Sequence, residues 1–166
     1  VWGEAGAEDV AGVARKFPGV EHRNEFVREF EGVRYFNDSI GTTPSRTISG
    51  ALSLFDRRIL LIAGGYDKNI PFDPLGPAVA DKVKVLVLIG QTADKIEKAV
   101  VSAPNYRPEN LKIFRAGTLE EAVNLCRREA GSGDVVSLSP ACASFGMFPN
   151  YETRGEIFRE IVNALK

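Results

Sequence analysis

An α/β fold, built as a doubly wound, mostly parallel sheet with helices on both faces, is predicted by two features of this 166-residue sequence. Short apolar runs alternate with stretches of helical period, the pattern of successive βαβ units. The central runs, "ILLIAGG" and "VKVLVLIG", are also apolar almost without interruption, as strands covered on both faces should be. Crossovers between such strands are expected to be right-handed.

The elements follow in order. From about Glu8 to Phe17 the chain reads as a helix with Val10, Val13, Ala14 and Phe17 on one face, ended by Pro18-Gly19. "VEHRNEFV" then leads through Gly32 into a first strand, "VRYFND", and a polar loop, "SIGTTPSRT". A helix opens near Pro44, a residue suited to a first helical turn, and runs to about Phe55 with Ile48, Ala51, Leu52 and Phe55 as its apolar face. "RILLIAGG" is the second strand. The loop "YDKNIPFDPLG" and a short helix to about Asp81 precede the third strand, "VKVLVLIG". "TADKIEKAVVS" is a helix, "PNYRPEN" a turn, and "LKIFRAG" the fourth strand. "TLEEAVNLCRREA" is a helix opened by a capping box, Thr118 to Glu121. "SGD" turns the chain into the fifth strand, "VVSLSP"; after "ACASFGMF" a final helix runs from about Tyr151 to Leu165. The boundary falls at Pro18-Gly19: residues 19–166 form one domain, and residues 1–18 are expected to be the helical tail and linker of another. A chain that begins without Met is expected to be a piece of a longer one.

Composition narrows the function classes. Hydrophobic residues make up 44% and charged residues 26%, ordinary for a globular protein. Lys+Arg 21 against Asp+Glu 22 gives a net charge of -1, which favours neither nucleic acid nor an anionic membrane. No apolar run approaches the ~20 residues of a membrane span, and "VWGEAGAEDV" is not built like a signal peptide. The two cysteines, Cys126 and Cys142, have no metal-like spacing and read as reduced, partly buried thiols of a cytosolic protein.

In doubly wound sheets ligands bind beyond the carboxyl ends of the strands. Three strand ends here are chemically unusual. "NDSIGTT" crowds Asp38, Ser39, Thr42 and Thr43 into one loop, which suits either a site or an Asx turn with a helix cap. Gly64-Gly65 allows a sharp turn or a close approach, with Lys68 three residues on. That lysine is either a point charge for a carboxylate or an exposed side chain after a tight turn. "LSPACASF" offers hydroxyls and amides for an anion, or simply a tightly packed turn. A serine nucleophile is disfavoured: there is no G-x-S-x-G, and His22 is the only histidine. Neither a P-loop nor G-x-G-x-x-G occurs. Together the three ends point to a site for a small acidic ligand, without identifying it.

The segments "GVEHRNEFV", "FNDSIGTTPSRT", "LIAGGYDKNIPF" and "LSPACASFGMFPNYETRG" resemble the C-terminal domain of the Mur ligases, and within that family the branch that adds D-glutamate. The resemblance runs from about Phe17 to the C-terminus. Sister ligases for other amino acids and folylpolyglutamate synthases share the fold but differ in the first loop. The resemblance implies a Rossmann-like domain that closes over two others. One binds the UDP-sugar; the central one carries the P-loop, the Mg²⁺ ligands and the catalytic groups, and residues 1–18 would be its tail. It implies an ATP-dependent ligase of peptidoglycan and cell-wall synthesis, hence of cell shape and division, that is cytoplasmic and monomeric. Its substrates would be D-glutamate and UDP-N-acetylmuramoyl-L-alanine. No catalytic residue lies in this chain on that reading, and alone it should be inactive.

By position, the resemblance assigns Lys68 to the D-glutamate side chain, Thr42 and Ser144 to hydroxyl contacts with its carboxylates, and Tyr151 to a backbone-amide contact. Arg23 and Asp38 match residues that reach the nucleotide. Three positions depart from the family pattern: Ile40 stands where some members have lysine, Gly41 where Ala is common, and Gly146 where Asp is usual. A ligase domain with another acceptor, a stand-alone nucleotide- or anion-binding module and a structural interaction domain remain as alternatives.

Overall fold

The computed structural model describes residues 19–55 and 59–166, together with Gly6, Glu8 and Gly12. The apolar face expected of the first helix, Val10, Val13, Ala14 and Phe17, lies outside the described residues. Six strands form one sheet: β1 (Glu25–Phe30), β2 (Val33–Asn37), β3 (Ile59–Gly64), β4 (Val83–Ile89), β5 (Lys112–Arg115) and β6 (Val135–Leu138), in the order β1-β2-β6-β3-β4-β5. Every pairing is parallel except β1 with β2.

β1 is the element the sequence pattern did not reveal. Its residues are charged at Glu25, Arg28 and Glu29 and show no clean alternation of burial. A tight turn makes it a strand: Glu31 (φ 53) and Gly32 (φ 74) both adopt left-handed conformations, the geometry of a two-residue hairpin. Charges and a register shift between Phe26 and Arg28 suit a sheet edge that must not recruit another strand.

β3 is buried at all six positions, as its sequence required. Leu60 and Ile62 join one core with Tyr35, Val85, Val87 and Val136. Helices α5 (Leu119–Glu129) and α6 (Tyr151–Asn163) cover that face through Val123, Cys126, Phe158 and Val162. Ile59, Leu61 and Ala63 join the opposite core, covered by α3 (Leu75–Lys82) and α4 (Ala93–Val101) through Leu75, Val79, Ile96 and Val100. Leu52, from the helical segment after β2, belongs to the same core.

Two helix details differ from expectation. The segment after β2 is two short helices, α1 (Pro44–Ser49) and α2 (Ala51–Leu54), broken at Gly50, whose φ −96 and ψ −105 are not helical. The capping box of α5 is skewed: Thr118 Oγ1 accepts from the Glu121 amide at 3.1 Å, but the Glu121 carboxylate accepts from Gly117 rather than from Thr118.

Candidate functional site

The strand order brings the three unusual strand ends together. After β2 the chain passes over one strand position to β3, and β6 returns last to fill the gap. The loops after β2 and β3 therefore leave from either side of the loop after β6, at the switch point where such sheets bind ligands. Backbone hydrogen bonds stitch these ends: Asp38 N to Leu138 O (2.8 Å), Ser139 N to Ile62 O (3.2 Å), Gly64 N to Pro140 O (2.8 Å) and Tyr66 N to Ala143 O (2.9 Å).

The two glycines after β3 make this approach possible. Gly64 has φ +112, and a Cβ there would overlap the carbonyl oxygen of Ile89; a Cβ on Gly65 would overlap that of Ala143. The backbone then delivers Tyr66 beside the β6 loop, with its ring edge-on to Phe145 at 5.9 Å. Asp67 turns outward to a salt bridge with Lys95 on α4. Lys68 is exposed and forms no salt bridge with any described residue. Ser144, 3% exposed, is held through its carbonyl, which accepts from Met147 N (3.3 Å) and Phe148 N (3.0 Å). Thr42 is half-buried in the β2 loop.

Arg154 ties these parts together. It is fully buried; its Nε donates to Ser39 Oγ (3.0 Å), its Nη2 to Ser39 O (2.7 Å) and its Nη1 to Cys142 O (3.1 Å). Ser39 Oγ donates in turn to the carbonyl of Tyr151 (2.7 Å). One side chain thus links the β2 loop, the β6 loop and the first turn of α6. Its acceptors are all neutral, and burial lowers its pKa to about 10. Sequence reasoning missed it. The available signal was its place on the buried stripe of α6, four residues before Phe158 and eight before Val162.

Arg23 and Asp38 lie on the other side of the β2 loop. They line a cleft of about 240 Å³ together with Ile40, Gly41 and Arg46. Asp38 is 3% exposed; it accepts from Ser139 Oγ (2.6 Å) and from the amide of Asn24 (3.2 Å). Burial pushes its pKa up, opposed by those two donors and by Arg23 and Arg46. The segment bearing Arg23 is anchored by His22, whose carbonyl accepts from Ile40 N (3.1 Å). Asn37 Oδ1 accepts from Ser39 N (3.1 Å), so its Nδ2 faces His22 Nδ1 at 3.0 Å, and that ring nitrogen is the acceptor. A larger cleft of about 550 Å³, bordered by Phe72, Asp73, Lys95 and Lys98, touches none of the expected site residues. Among the described residues, no group of three or more His, Cys, Asp or Glu side chains is placed to hold a metal ion, and no helix is long and apolar enough to cross a membrane.

The structure therefore puts Thr42, Lys68 and Ser144 on the three loops that meet at the switch point and Tyr151 at the first turn of α6, tied to the β2 loop through Ser39, with Arg23 and Asp38 in an adjoining cleft. Both cysteines are free thiols, and both are more fully buried than the partial burial expected from the sequence.

Comparison with known proteins gives these loops a context. The family of the Mur ligase glutamate ligase domain matches residues 22–142. The UDP-N-acetylmuramoylalanine--D-glutamate ligase of Clostridium acetobutylicum is 53% identical over 159 residues, 96% of this chain and 34% of that protein. The same ligase of Clostridium novyi is 51% identical over 162 residues, covering 98% of this chain and 35% of its own, and that of Acetivibrio thermocellus is 54% identical over 156 residues, covering 93% and 33%. The chain thus spans about a third of the length of the curated relatives it matches. Among solved structures, a murein peptide ligase from Psychrobacter arcticus superposes with a TM-score of 0.58 at 15% identity, over 95% of this chain and 33% of that one, a likeness of fold.

Proposed function

We infer the function from one premise: the chain belongs to the Mur ligase family, as its glutamate ligase domain. We propose that it is the C-terminal part of the ligase that joins D-glutamate to UDP-N-acetylmuramoyl-L-alanine in peptidoglycan synthesis. Residues 19–166 hold the amino acid and close over the nucleotide. Residues 1–18 are the tail of the central domain, which supplies the phosphate-binding loop and the Mg²⁺ site. The complete enzyme acts as a monomer in the cytoplasm. In the reaction, ATP phosphorylates the alanyl carboxylate, the amine of D-glutamate attacks the acyl phosphate, and ADP and phosphate leave.

The residues suit a dicarboxylic amino acid whose amine must stay free. Lys68, which forms no salt bridge with a described residue, supplies a cation for the side-chain carboxylate. Thr42 and Ser144 supply hydroxyl donors. Tyr151 is the first residue of a 13-residue helix, where a backbone N–H has no partner within the helix and the dipole favours an anion. Arg23 and Asp38 face the nucleotide. The observation that carries this reading is the Tyr66–Ala143 bridge, which brings the Lys68 loop alongside the Ser144 loop at the switch point.

The test joins this chain to the upstream two-thirds that its relatives carry and measures ATP-dependent phosphate release with D-glutamate and a panel of other amino acids. Release should require D-glutamate, and Lys68→Ala should raise its KM about 10- to 100-fold, the worth of one charge-assisted contact. The 166-residue chain alone should release none. Release with a different acceptor would move the protein to a sister ligase. Release from the chain alone would overturn the assignment of catalysis to the other domains.

A further inference from the structure

The loop that carries Lys68 also carries an acid, Asp67, one residue before it. A carboxylate left without a cation there would oppose an acidic ligand twice. It would repel the incoming anion, and it would compete for the Lys68 ammonium group. The two charges act in one neighbourhood. The pKa of the Cys142 thiol, raised chiefly by burial, is raised further by Asp67 and lowered by Lys68, so both reach the same end of the β6 loop. Yet both oxygens of Asp67 are engaged elsewhere. Oδ2 accepts from Lys95 Nζ on α4, and Oδ1 accepts from the amide of Asn69 at 2.8 Å. Lys95 first, then the Asn69 amide, holds this carboxyl below the usual carboxylate range, so it stays charged.

The fold dedicates Lys95 to that pairing. Thr92 is fully buried; its Oγ1 accepts from the Gly65 amide (3.0 Å), and its own amide donates to Gly65 O (3.2 Å). This double contact sets the start of α4 on the glycine turn, and Lys95, in the first turn of the helix, then falls opposite Asp67. A lysine in a first turn opposes the helix dipole, so the helix itself gives no reason for it. The acids nearest Lys95 on α4, Asp94 and Glu97, are both taken by Arg115 on β5. As an exposed ion pair, Lys95–Asp67 adds little to stability. Its consequence falls on the neighbouring Lys68. With Lys95 the three side chains carry one net positive charge; without it they carry none.

We infer that Lys95 is a positioning residue for the acceptor amino acid: by pairing Asp67 and drawing it outward, it leaves the charge of Lys68 free for a carboxylate of D-glutamate. This rests on the ligase reading of the Lys68 loop and goes beyond it. Lys95 acts through Asp67 and does not itself meet the substrate.

The experiment is steady-state kinetics of this chain joined to its upstream two-thirds, with D-glutamate varied, on Lys95→Ala, Asp67→Asn and the double variant. Asp67→Asn keeps an acceptor for the Asn69 amide and removes only the charge. Lys95→Ala should raise the KM for D-glutamate at least about fivefold and hold kcat within about twofold, the pattern of a lost attraction to the bound substrate. Asp67→Asn should stay within about twofold of wild type, and the double variant should recover most of the loss. Lys95→Arg, which keeps the charge, should match wild type. Raising salt from about 50 to 500 mM should shrink the Lys95→Ala defect relative to wild type, because the freed carboxylate is screened. A pair that merely fastened the loop would give another pattern, with Asp67→Asn as harmful as Lys95→Ala and no recovery in the double variant. That pattern, or an unchanged KM in Lys95→Ala, overturns the inference and leaves the ligase reading standing. A wild-type enzyme that releases no phosphate with D-glutamate overturns the ligase reading, and the inference with it.

Discussion

Buried polar and sulfur-bearing side chains hold the switch point together. Arg154 is the clearest case: only a planar fork with several donors reaches Ser39 and Cys142 at once, so Lys is no substitute. The thiols give a pH dependence. Burial raises the Cys142 pKa from 9.0 to about 11, and that of Cys126 further. Between about pH 9 and 11 the unfolded chain loses thiol protons that the folded chain keeps, so folding stability falls as pH rises, by up to about 1.4 kcal/mol per pH unit for each thiol. Urea melts across that range should show this fall, and it should be shallower in a Cys126→Ala/Cys142→Ala double variant. An unchanged slope would remove the thiols as its cause. Lys68 and Ser144 could be singled out from the sequence because each follows an apolar run with glycines or small residues between. Arg154 carried only its place on the apolar stripe of α6 as a signal, and that was passed over because arginine is ordinarily an exposed residue and its acceptors are distant in sequence.

Among the elements, α6 is the most constrained. Gly155 lies on its buried face against His22, and a Cβ there would overlap His22 Nδ1. Gly→Ala in an open helix stabilises by about 0.8–1 kcal/mol. Gly155→Ala should instead destabilise by about 1–3 kcal/mol, because it overpacks the contact that anchors the Arg23 segment. Chemical denaturation measures the sign directly; a gain in stability would mean that His22 can move aside at little cost. Helices and inner strands were legible from the sequence because their signals are local: period, caps and uninterrupted apolar runs. β1 and the break at Gly50 were not. β1 depends on pairing with β2 and on a turn whose Glu-Gly sequence is outside the usual hairpin set. The break at Gly50 leaves the apolar spacing of Ile48, Ala51 and Leu52 undisturbed, and that spacing is what suggested one helix.

For the whole molecule, the placement of β6 between β2 and β3 is decisive. It puts Gly65 against Ala143, residues far apart in sequence. On the ligase reading proposed above, Gly65→Ala in the joined enzyme should lower stability by about 1–3 kcal/mol and raise the KM for D-glutamate, since it pushes the Lys68 loop away from the Ser144 loop. The KM for ATP should change little, because the Arg23 cleft lies on the other side of the β2 loop; equal effects on both constants would show the two sides to be one mechanical unit. Periodicity, apolar runs and turn residues were enough to specify the α/β class, most of the elements and the loops worth inspecting, because each depends on neighbours within a few positions along the chain. The antiparallel edge, the strand order, the buried Arg154 and the cleft that sets Arg46 beside Arg23 and Asp38 emerged only in the assembled sheet. They arise from pairings between residues up to more than a hundred positions apart, which local pattern does not encode.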